Sequence, residues 1–194
     1  MLREKLSNYN LILASGSPRR QHFFKELDIP FVINIKQVDE IYPKHLKAAQ
    51  ITDYLADLKS KCFNNLQSKD LLITSDTIVW FEEKAIGKPK NKKDAFHMLK
   101  KMSGKEHCVF TSVSLKSKSF QKIFNDKTIV EFKEFTDEEI NYYIEKFSPY
   151  DKAGSYGIQD WIGLVGVKKI IGSYFNVMGL PVHKLYKELL KIAQ

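Results

Sequence analysis

The sequence has few cysteines and no long apolar run, and each shortage excludes a class of protein. Cys62 and Cys108 are the two cysteines among 194 residues, too few for a disulfide framework or a cysteine-based zinc site. No apolar run approaches the roughly 20 residues that a membrane-spanning helix needs. The first residues also lack the apolar stretch of a signal peptide. The sequence therefore predicts a cytoplasmic protein with no membrane partner.

Arginine is also scarce, although the chain carries a formal net charge of +8. Arg3, Arg19 and Arg20 are the three arginines among 31 basic residues, and two of them are adjacent. Most of the lysines are scattered, which is typical of a solvated surface. Arginine differs from lysine because its planar fork grips a phosphate or carboxylate through two hydrogen bonds. The adjacent pair is therefore a candidate anion-binding site.

The composition and the hydrophobic pattern predict a mixed α/β fold. With 194 residues and 43% hydrophobic content, the chain fits one domain, or one domain with a cleft between two lobes. Strands and helices are mixed without strict alternation, which favours a mixed twisted sheet with flanking helices over an all-parallel sheet. The predicted strands cover residues 10–14, 31–35, 71–74, 106–116 and 120–133. The predicted helices begin after Pro18, cover 45–67, 92–102 and 136–147, and resume from Pro181 onward. Loops and short strands are predicted over 150–180.

The segment after the first predicted strand has the pattern of an anion-binding helix start. In Ser15-Gly16-Ser17-Pro18, Ser17 can cap the helix, and Pro18 suits the first helical position. The first N–H groups of a helix are unpaired and carry partial positive charge, so a phosphate can bind there. The loop matches neither a P-loop nor a dinucleotide-binding turn. The alternative is an ordinary helix cap followed by two solvated arginines.

Two acidic positions are candidates for metal binding or proton transfer. Asp76, in Ser75-Asp76-Thr77, follows the apolar strand predicted over 71–74, and residues 78–81 continue the extended pattern. A carboxylate there can bind a divalent cation or take a proton from water. Glu40 and Asp76 could share one Mg²⁺ against a substrate's phosphates. The alternatives are a turn-forming aspartate and a solvent-facing Asp39-Glu40 pair.

Two further segments carry candidate substrate contacts. Lys88 lies between Gly87 and Pro89, which suits a fixed point charge or, alternatively, a surface turn. Gln159 ends the loop that begins at Asp151, and its amide can hydrogen-bond a base or sugar edge through both its donor and its acceptor. The alternative for this loop is a tight turn that uses its glycines for positive φ. The five histidines show no metal-ligand spacing.

Taken together, these segments resemble the Maf family of nucleoside triphosphate pyrophosphatases. The resemblance runs nearly end to end, and the motifs occur in the family's order and spacing. It rests on Leu11–Arg20, Val38–Glu40, Ser75–Thr77, Gly87–Pro89, Met98–Gly104, Asp151–Gln159 and Gly172–Pro181.

The resemblance implies a single domain over residues 1–194, with two lobes around a central cleft, related to inosine-triphosphate pyrophosphatases. It also implies a homodimer that cleaves the bond between the α- and β-phosphates with a divalent metal, Mg²⁺ or Mn²⁺, and so clears surplus or non-standard nucleotides. The implied triphosphate-binding residues are Ser17, Arg19, Arg20, Lys59 (with Lys61 as the alternative) and Lys88. The implied metal ligands are Glu40 and Asp76, and Asp76 is also the implied proton acceptor for the attacking water.

The resemblance is to the branch of the family that acts on dTTP and UTP. Arg19, Thr77 and Gln159 match the positions that set specificity in that branch. The chain departs from the family after Gln159, where Asp160-Trp161 replaces the usual glycine. A carboxylate and a large ring so close to the implied base pocket leave the base preference open.

Two other functions are compatible with parts of the sequence. A nucleotide-sensing regulator of cell division would use the same fold without turnover, but it has no need of a water-activating carboxylate. A nucleic-acid-binding module would explain the net charge of +8, but the chain has neither a recognition motif nor a concentrated basic stripe with interleaved aromatics. The sequence therefore favours an enzyme that has no nucleic-acid partner.

Overall fold

The computed structural model describes residues 1–192 and contains one sheet of seven strands. The sheet is mixed, as the sequence predicts. The strand order is β2-β1-β3-β5-β6-β7, and β4 pairs separately with β3. β1 runs parallel to both β2 and β3, and every other pair is antiparallel. The strands are β1 (Asn10–Leu13), β2 (Val32–Ile33), β3 (Asp70–Phe81), β4 (Lys84–Ile86), β5 (Glu106–Lys116), β6 (Gln121–Phe132) and β7 (Val167–Ile171).

Eight α-helices flank the sheet in the described part of the chain. They are α1 (Leu2–Lys5), α2 (Pro18–Glu26), α3 (Ala49–Lys61), α4 (Lys92–Met102), α5 (Asp137–Phe147), α6 (Trp161–Gly166), α7 (Tyr174–Val177) and α8 (Val182–Ile192). Local caps explain where two of them begin. The Asn91 side chain accepts the Asp94 N–H at the start of α4. Thr136 and Glu139 form a reciprocal capping box at the start of α5. The helix predictions for 92–102 and 136–147 are confirmed.

Strand β3 changes partners along one of its edges, and this change creates an opening in the sheet. Residues 70–73 pair with β1, and residues 79–81 pair with β4. The other edge of β3 pairs continuously with β5 from Leu72 to Trp80. Residues 74–78 therefore have a strand neighbour on one side only. The three polar residues of Ser75-Asp76-Thr77 lie at this opening.

The buried apolar residues form three clusters. One packs α1, α2 and α8 against β1 and the beginning of β3, around Leu13, Phe24 and Leu185. A second packs α4, α5 and α6 against the second half of β3 and against β5 and β6, around Leu99 and Phe132. A small third cluster joins α3 to β3 and β5. The opening in β3 thus lies between the two larger clusters.

Four predictions about the extent of helices and strands need correction. The strand predicted over 31–35 is limited to Val32–Ile33, and the helix predicted over 45–67 covers only Ala49–Lys61. The segment 150–180 contains helices α6 and α7 besides loops and β7. The strand predicted over 71–74 does not end there, because β3 continues through Asp76 to Phe81. Within residues 1–192, no helix has the length and apolar character needed to cross a membrane.

Candidate active site

A cleft of about 900 Å³ opens beside the unpaired edge of β3. This volume is within the range of small-molecule binding sites, which measure roughly 300–1,000 Å³. Its wall combines the polar residues of β3 with the loop between β1 and α2, the start of α2, and Lys59 of α3. The lining is completed by residues 35–40, by Lys88, by parts of the segment 151–159, and by the end of α7 with the two residues that follow it (177–179).

Two of the predicted acidic residues meet at one lysine. Lys59 Nζ lies 2.6 Å from Asp76 Oδ1 and 2.9 Å from Glu40 Oε1. The exposed fraction of the side chain is 8% for Asp76, 17% for Lys59 and 50% for Glu40. Asp76 therefore lies at the base of the cleft and Glu40 at its mouth. The alternative lysine, Lys61, instead pairs with Asp57 on the surface of α3.

The two carboxyl groups differ in pKa because they differ in burial. Burial raises the pKa of Asp76 above its ordinary value, although Lys59 and Arg20 favour the ionised form. Burial also opposes ionisation of Glu40, but Lys59, Lys88 and Arg20 outweigh it and lower the pKa of Glu40. Asp76 is thus the stronger base of the two. A base in a cleft with a raised pKa is suited to accepting a proton from water.

The Arg20 guanidinium joins three separate segments of the chain. Nε donates to the Gly179 carbonyl at 2.8 Å, and Nη1 donates to the Ser75 carbonyl at 2.9 Å and to Ser15 Oγ at 3.4 Å. Nη2 donates to Thr77 Oγ1 at 3.0 Å. Burial lowers the pKa of Arg20 to about 10, which leaves the group charged at neutral pH. Four of its five N–H groups bind the protein, so one N–H remains for a ligand.

Arg19 and Ser17 lie at the start of α2 on the same wall of the cleft. Arg19 Nε donates to the Met178 carbonyl at 3.2 Å, and its Nη1 lies 3.4 Å from Asp151 Oδ2. Ser17 occupies the capping position with Pro18 next to it, as the sequence predicts. The Ser17 hydroxyl forms no capping hydrogen bond, so its donor and acceptor are available to a ligand in the cleft.

The cleft carries more positive than negative charge. Six cationic side chains and four carboxylates line it. Lys88 is among the cations and acts on the Glu40 carboxylate by charge alone. Two of the cations, Lys36 and Lys152, were not predicted. Lys152 lies beside Asp151 in the loop that ends at Gln159. Its place in that candidate segment was the sequence signal that could have identified it as a site residue.

The loop that carries Gln159 is held from helix α5. Tyr143 Oη donates to Asp160 Oδ2 at 2.8 Å and accepts the Gly157 N–H at 3.0 Å. Burial raises the pKa of Tyr143 far above its ordinary value, so the phenol stays protonated and remains a donor. Gln159 Oε1 is buried without a partner in the described chain. The Gln159 acceptor is therefore available to a ligand.

Asp160 and Trp161, where the sequence departs from the family pattern, lie behind the loop that carries Gln159. Asp160 and Trp161 are absent from the residues that line the cleft. The Asp160 carboxylate is bound by Tyr143, and the Trp161 ring packs edge-to-face on Tyr142 with ring centroids 4.8 Å apart. Both side chains thus support the loop from outside. Neither side chain lines the cleft, so an effect of either on the base preference would act through the loop that carries Gln159.

The donor set at the base of the cleft fits a divalent cation. Lys59 Nζ contacts both Glu40 and Asp76, so one positive group reaches both carboxylates. Within residues 1–192, no cluster of three or more histidine, cysteine, aspartate or glutamate side chains is arranged to hold a metal ion. Two carboxylates suit Mg²⁺, which commonly binds one or two carboxylates and completes its shell with water and substrate phosphates.

Sequence reasoning missed the residues that hold the predicted ones in place. Thr111, Asn176 and Tyr143 are buried. Thr111 bonds to Thr77, Asn176 bonds to Thr111, and Tyr143 bonds to Gly157 in the loop that carries Gln159. Their partners are distant in sequence, so local patterns carry no signal for Thr111 and Tyr143. For Asn176, membership of the segment Gly172–Pro181 was the available signal.

The sequence of this chain is similar to a known family along nearly its whole length. A family profile described as "Maf-like protein" matches residues 10–192. Proteins named dTTP/UTP pyrophosphatase are close in sequence. The one from Christiangramia forsetii is 56% identical and covers 97% of this chain and 97% of its own length. The one from Flavobacterium johnsoniae is 56% identical, with coverage of 97% and 98%. The one from Bacteroides thetaiotaomicron is 47% identical, with coverage of 96% and 98%.

Among solved structures, the Ham1 protein of Staphylococcus aureus has a similar fold. Its TM-score is 0.51 with 16% sequence identity, and the match covers 92% of this chain and 99% of that protein. At this identity the similarity concerns the fold alone. It agrees with the predicted mixed α/β architecture.

Proposed function

The chain belongs to the Maf family, and from that premise we propose that it hydrolyses dTTP and UTP to the nucleoside monophosphate and pyrophosphate. It is a nucleoside triphosphate pyrophosphatase. Relatives at 56% identity over nearly the full length carry the name dTTP/UTP pyrophosphatase. The proposal includes a role in removing surplus or non-standard nucleotides from the cytoplasmic pool.

One observation carries the proposed chemistry: the buried Asp76 carboxylate lies in a cleft whose other charged groups are mostly cations. A nucleoside triphosphate carries nearly four negative charges, so cations are needed to hold it and to neutralise charge in the transition state. By itself, a carboxylate with a raised pKa among those cations does not attract a polyanion. It does suit the acceptance of a proton from the attacking water.

In the proposed reaction, water attacks a phosphorus of the α–β anhydride. Asp76 takes a proton from that water as the new P–O bond forms. The bond to the bridging oxygen breaks, and pyrophosphate and the nucleoside monophosphate are released. The position of Asp76 at the base of the cleft, beside Lys59, supports this role.

The other predicted residues have proposed roles in holding the substrate. Ser17, Arg19, Arg20, Lys59 and Lys88 bind the triphosphate, and Arg19, Thr77 and Gln159 set the preference for the base. Glu40 and Asp76 hold a divalent cation, Mg²⁺ or Mn²⁺. When bound, that cation would neutralise phosphate charge. Arg20 also anchors Ser75, Thr77 and Gly179, so its proposed contribution to the substrate is one N–H and a positive charge.

The proposed assembly is a homodimer, as the family resemblance implies, without a nucleic-acid or membrane partner. Light scattering measures the mass in solution, and a value near twice 22.5 kDa is expected. A monomer at micromolar concentration would contradict this part of the proposal and leave the hydrolytic activity unaffected.

Pyrophosphate release from a panel of nucleoside triphosphates tests the activity. The panel contains dTTP, UTP, CTP, ATP and GTP, each with Mg²⁺, with Mn²⁺ and with EDTA. We expect metal-dependent release that is greatest for dTTP and UTP, and no release by Asp76→Asn. Release that is greatest for another base would retain the chemistry and refute the proposed substrate. Binding of nucleotides without release would favour the nucleotide-sensing regulator.

A further inference from the structure

A line of buried hydrogen bonds runs from Arg20 into the interior of the sheet. Arg20 Nη2 lies 3.0 Å from Thr77 Oγ1, which lies 3.0 Å from Thr111 Oγ1. Thr111 Oγ1 lies 2.9 Å from the backbone carbonyl oxygen of Asn176. Thr77 and Thr111 face each other in the register of β3 and β5. Thr111 and Asn176 are fully buried, whereas Thr77 reaches the wall of the cleft.

Proton counting fixes the direction of every bond in this line. A guanidinium only donates and a backbone carbonyl only accepts, so Arg20 donates to Thr77, and Thr111 donates to Asn176. Each threonine hydroxyl has one proton. Because the Thr111 proton is used at Asn176, Thr111 can only accept from Thr77. The Thr77 proton therefore points into the interior, toward Thr111.

The Thr77 hydroxyl oxygen therefore presents a hydrogen-bond acceptor to the cleft. An oxygen that donates one proton and accepts one bond has a single lone pair left. Uracil and thymine carry a ring N–H at position 3, which donates to such a lone pair. Cytosine has an unprotonated N3, which would face the same lone pair as a second acceptor and leave both unpaired. Unpaired polar groups in a binding site discriminate strongly between related ligands.

We propose that Thr111 is a specificity-determining residue that acts through Thr77. By accepting the Thr77 proton, Thr111 makes the cleft select pyrimidines with a protonated N3 over cytosine. This inference rests on the proposed function and assigns part of its base preference to a residue that does not touch the substrate. Thr111 is thus a positioning residue, and its effect is on the identity of the base rather than on hydrolysis.

The structure holds the acceptor end of the line rigidly. The Asn176 side chain donates through Nδ2 to the Val109 carbonyl at 3.1 Å and to Thr128 Oγ1 at 3.0 Å. These bonds tie α7 to β5 and β6, so the Asn176 carbonyl stays beside Thr111. The direction of the Thr77 proton is thereby built into the fold before any nucleotide binds.

The test compares kcat/KM for UTP and CTP in three variants with the wild type. Thr111→Val keeps the shape and removes the acceptor, so the Thr77 hydroxyl can turn its proton into the cleft and donate to cytosine N3. We expect the UTP-to-CTP ratio to fall about tenfold, mainly through a gain for CTP, and Thr111→Ser to restore it. Thr74→Val is the matched control, because Thr74 is equally buried on β3 and donates to the Ala56 carbonyl at 2.6 Å. That control should keep the wild-type ratio.

A second measurement needs no variant and covers the case in which Thr111→Val fails to fold. The wild-type enzyme is given UTP methylated at N3, which lacks the N–H, and UTP methylated at C5, which retains it. We expect kcat/KM to be at least about tenfold lower for the N3-methyl compound than for the C5-methyl compound. Equal values would overturn the inference.

The outcomes separate this inference from the proposed function. A wild-type enzyme that prefers UTP, together with a folded Thr111→Val variant of unchanged ratio, overturns the inference alone. If the UTP-to-CTP ratio fell equally in Thr74→Val, the inference alone would again be overturned, because the effect would then come from a general loosening of the sheet. A wild-type enzyme that releases pyrophosphate from no nucleotide overturns both.

Discussion

The ammonium of Lys59 lies 2.6 Å from the buried carboxylate of Asp76 and opposes the effect of burial on that group. Burial favours the protonated carboxyl and raises its pKa, whereas Lys59 favours the ionised form. The net pKa of Asp76 in the nucleotide-free chain lies above the ordinary value of 3.8. Because the proposed reaction needs ionised Asp76, Lys59 extends the active pH range downward.

Replacement of Lys59 by glutamine should therefore move the acidic limb of the pH–rate profile to higher pH. The variant loses the positive charge that favours ionised Asp76, so the pKa of Asp76 rises further, and activity is lost at a higher pH as the solution is acidified. We expect a shift of about one pH unit, measured as log kcat/KM against pH at one subsaturating Mg²⁺ concentration for both enzymes, because bound Mg²⁺ would itself favour ionised Asp76.

Lys61→Gln is the matched control for this prediction. Lys61 is two residues away and pairs with Asp57 on the exposed side of α3. Its profile should overlay that of the wild type. A shift in Lys61→Gln and none in Lys59→Gln would assign the site lysine to position 61.

Asp76→Asn should abolish turnover without weakening the fold. A carboxyl with a raised pKa binds its proton more tightly in the folded than in the unfolded chain, so at neutral pH its ionisation costs folding free energy. That cost is absent below the ordinary pKa of 3.8, where both states are protonated. Without metal at pH 7, we expect Asp76→Asn to have a Tm equal to or above that of the wild type, and to lose at least about a hundredfold in kcat.

Asp70→Asn provides the comparison on the same strand. Asp70 accepts the Gln67 N–H and the Asn10 amide at the far end of β3, outside the cleft. Its variant should retain wild-type kcat. Retention of near-normal kcat by Asp76→Asn would remove Asp76 from the proposed mechanism.

Local patterns in the sequence predict much of this fold. Helices α4 and α5 have capping residues and apolar stripes within their own sequence, and both lie where these patterns place them. The path of β3 through Asp76 could not be predicted in the same way. Ser75-Asp76-Thr77 is polar and suggests the end of a strand. In the structure these residues continue the ladder because Ser112 and Thr111 of β5 pair opposite Asp76 and Thr77.

The sequence predicts which residues form the candidate site better than it predicts the contacts that those residues make. The scarcity of arginine indicates an anion site at Arg19 and Arg20, and both side chains line the cleft. The acceptors of Arg20 at Ser75 and Gly179 are 55 and 159 residues away in sequence. Only the folded chain brings them together. The functional roles of these residues stay predictions.

Arg20→Lys should lower both stability and activity although it conserves the charge. A lysine ammonium cannot reach the Gly179 carbonyl, the Ser75 carbonyl and Thr77 in the planar arrangement that the guanidinium provides. Buried acceptors left unpaired cost about 1–3 kcal/mol. We expect a lower free energy of unfolding by urea titration and a higher KM for UTP.

Arg3→Lys is the control for replacing an arginine by a lysine. Arg3 pairs with Asp28 at an exposed position far from the cleft. Its variant should match the wild type in both measurements. If Arg20→Lys also matched the wild type, the hydrogen bonds assigned to Arg20 would contribute nothing measurable.

Tyr143→Phe should weaken substrate binding from outside the cleft. The change removes the donor to Asp160 and the acceptor of the Gly157 N–H, and both lost partners lie in the loop that carries Gln159. A Cβ at Gly157 would lie 2.6 Å from Asp160 Oδ2 and 2.8 Å from Gln159 Nε2, so both side chains lie beside Gly157. Without the Tyr143 hydroxyl, the Asp160 carboxylate is free to hydrogen-bond the Gln159 amide. It would then compete with the nucleobase of the substrate for that amide.

We expect Tyr143→Phe to raise KM for UTP several-fold and to lower stability by about 1–3 kcal/mol, because buried polar groups lose their partners. Tyr142→Phe is the control on the same helix, since Tyr142 is exposed and, within residues 1–192, its hydroxyl hydrogen-bonds only to Lys146. Tyr143→Phe combined with Asp160→Asn removes the competing charge and should recover most of the KM while the stability stays low. If KM stayed high in the double variant, Asp160 would not be the competitor, and Tyr143 would act on the loop through packing alone.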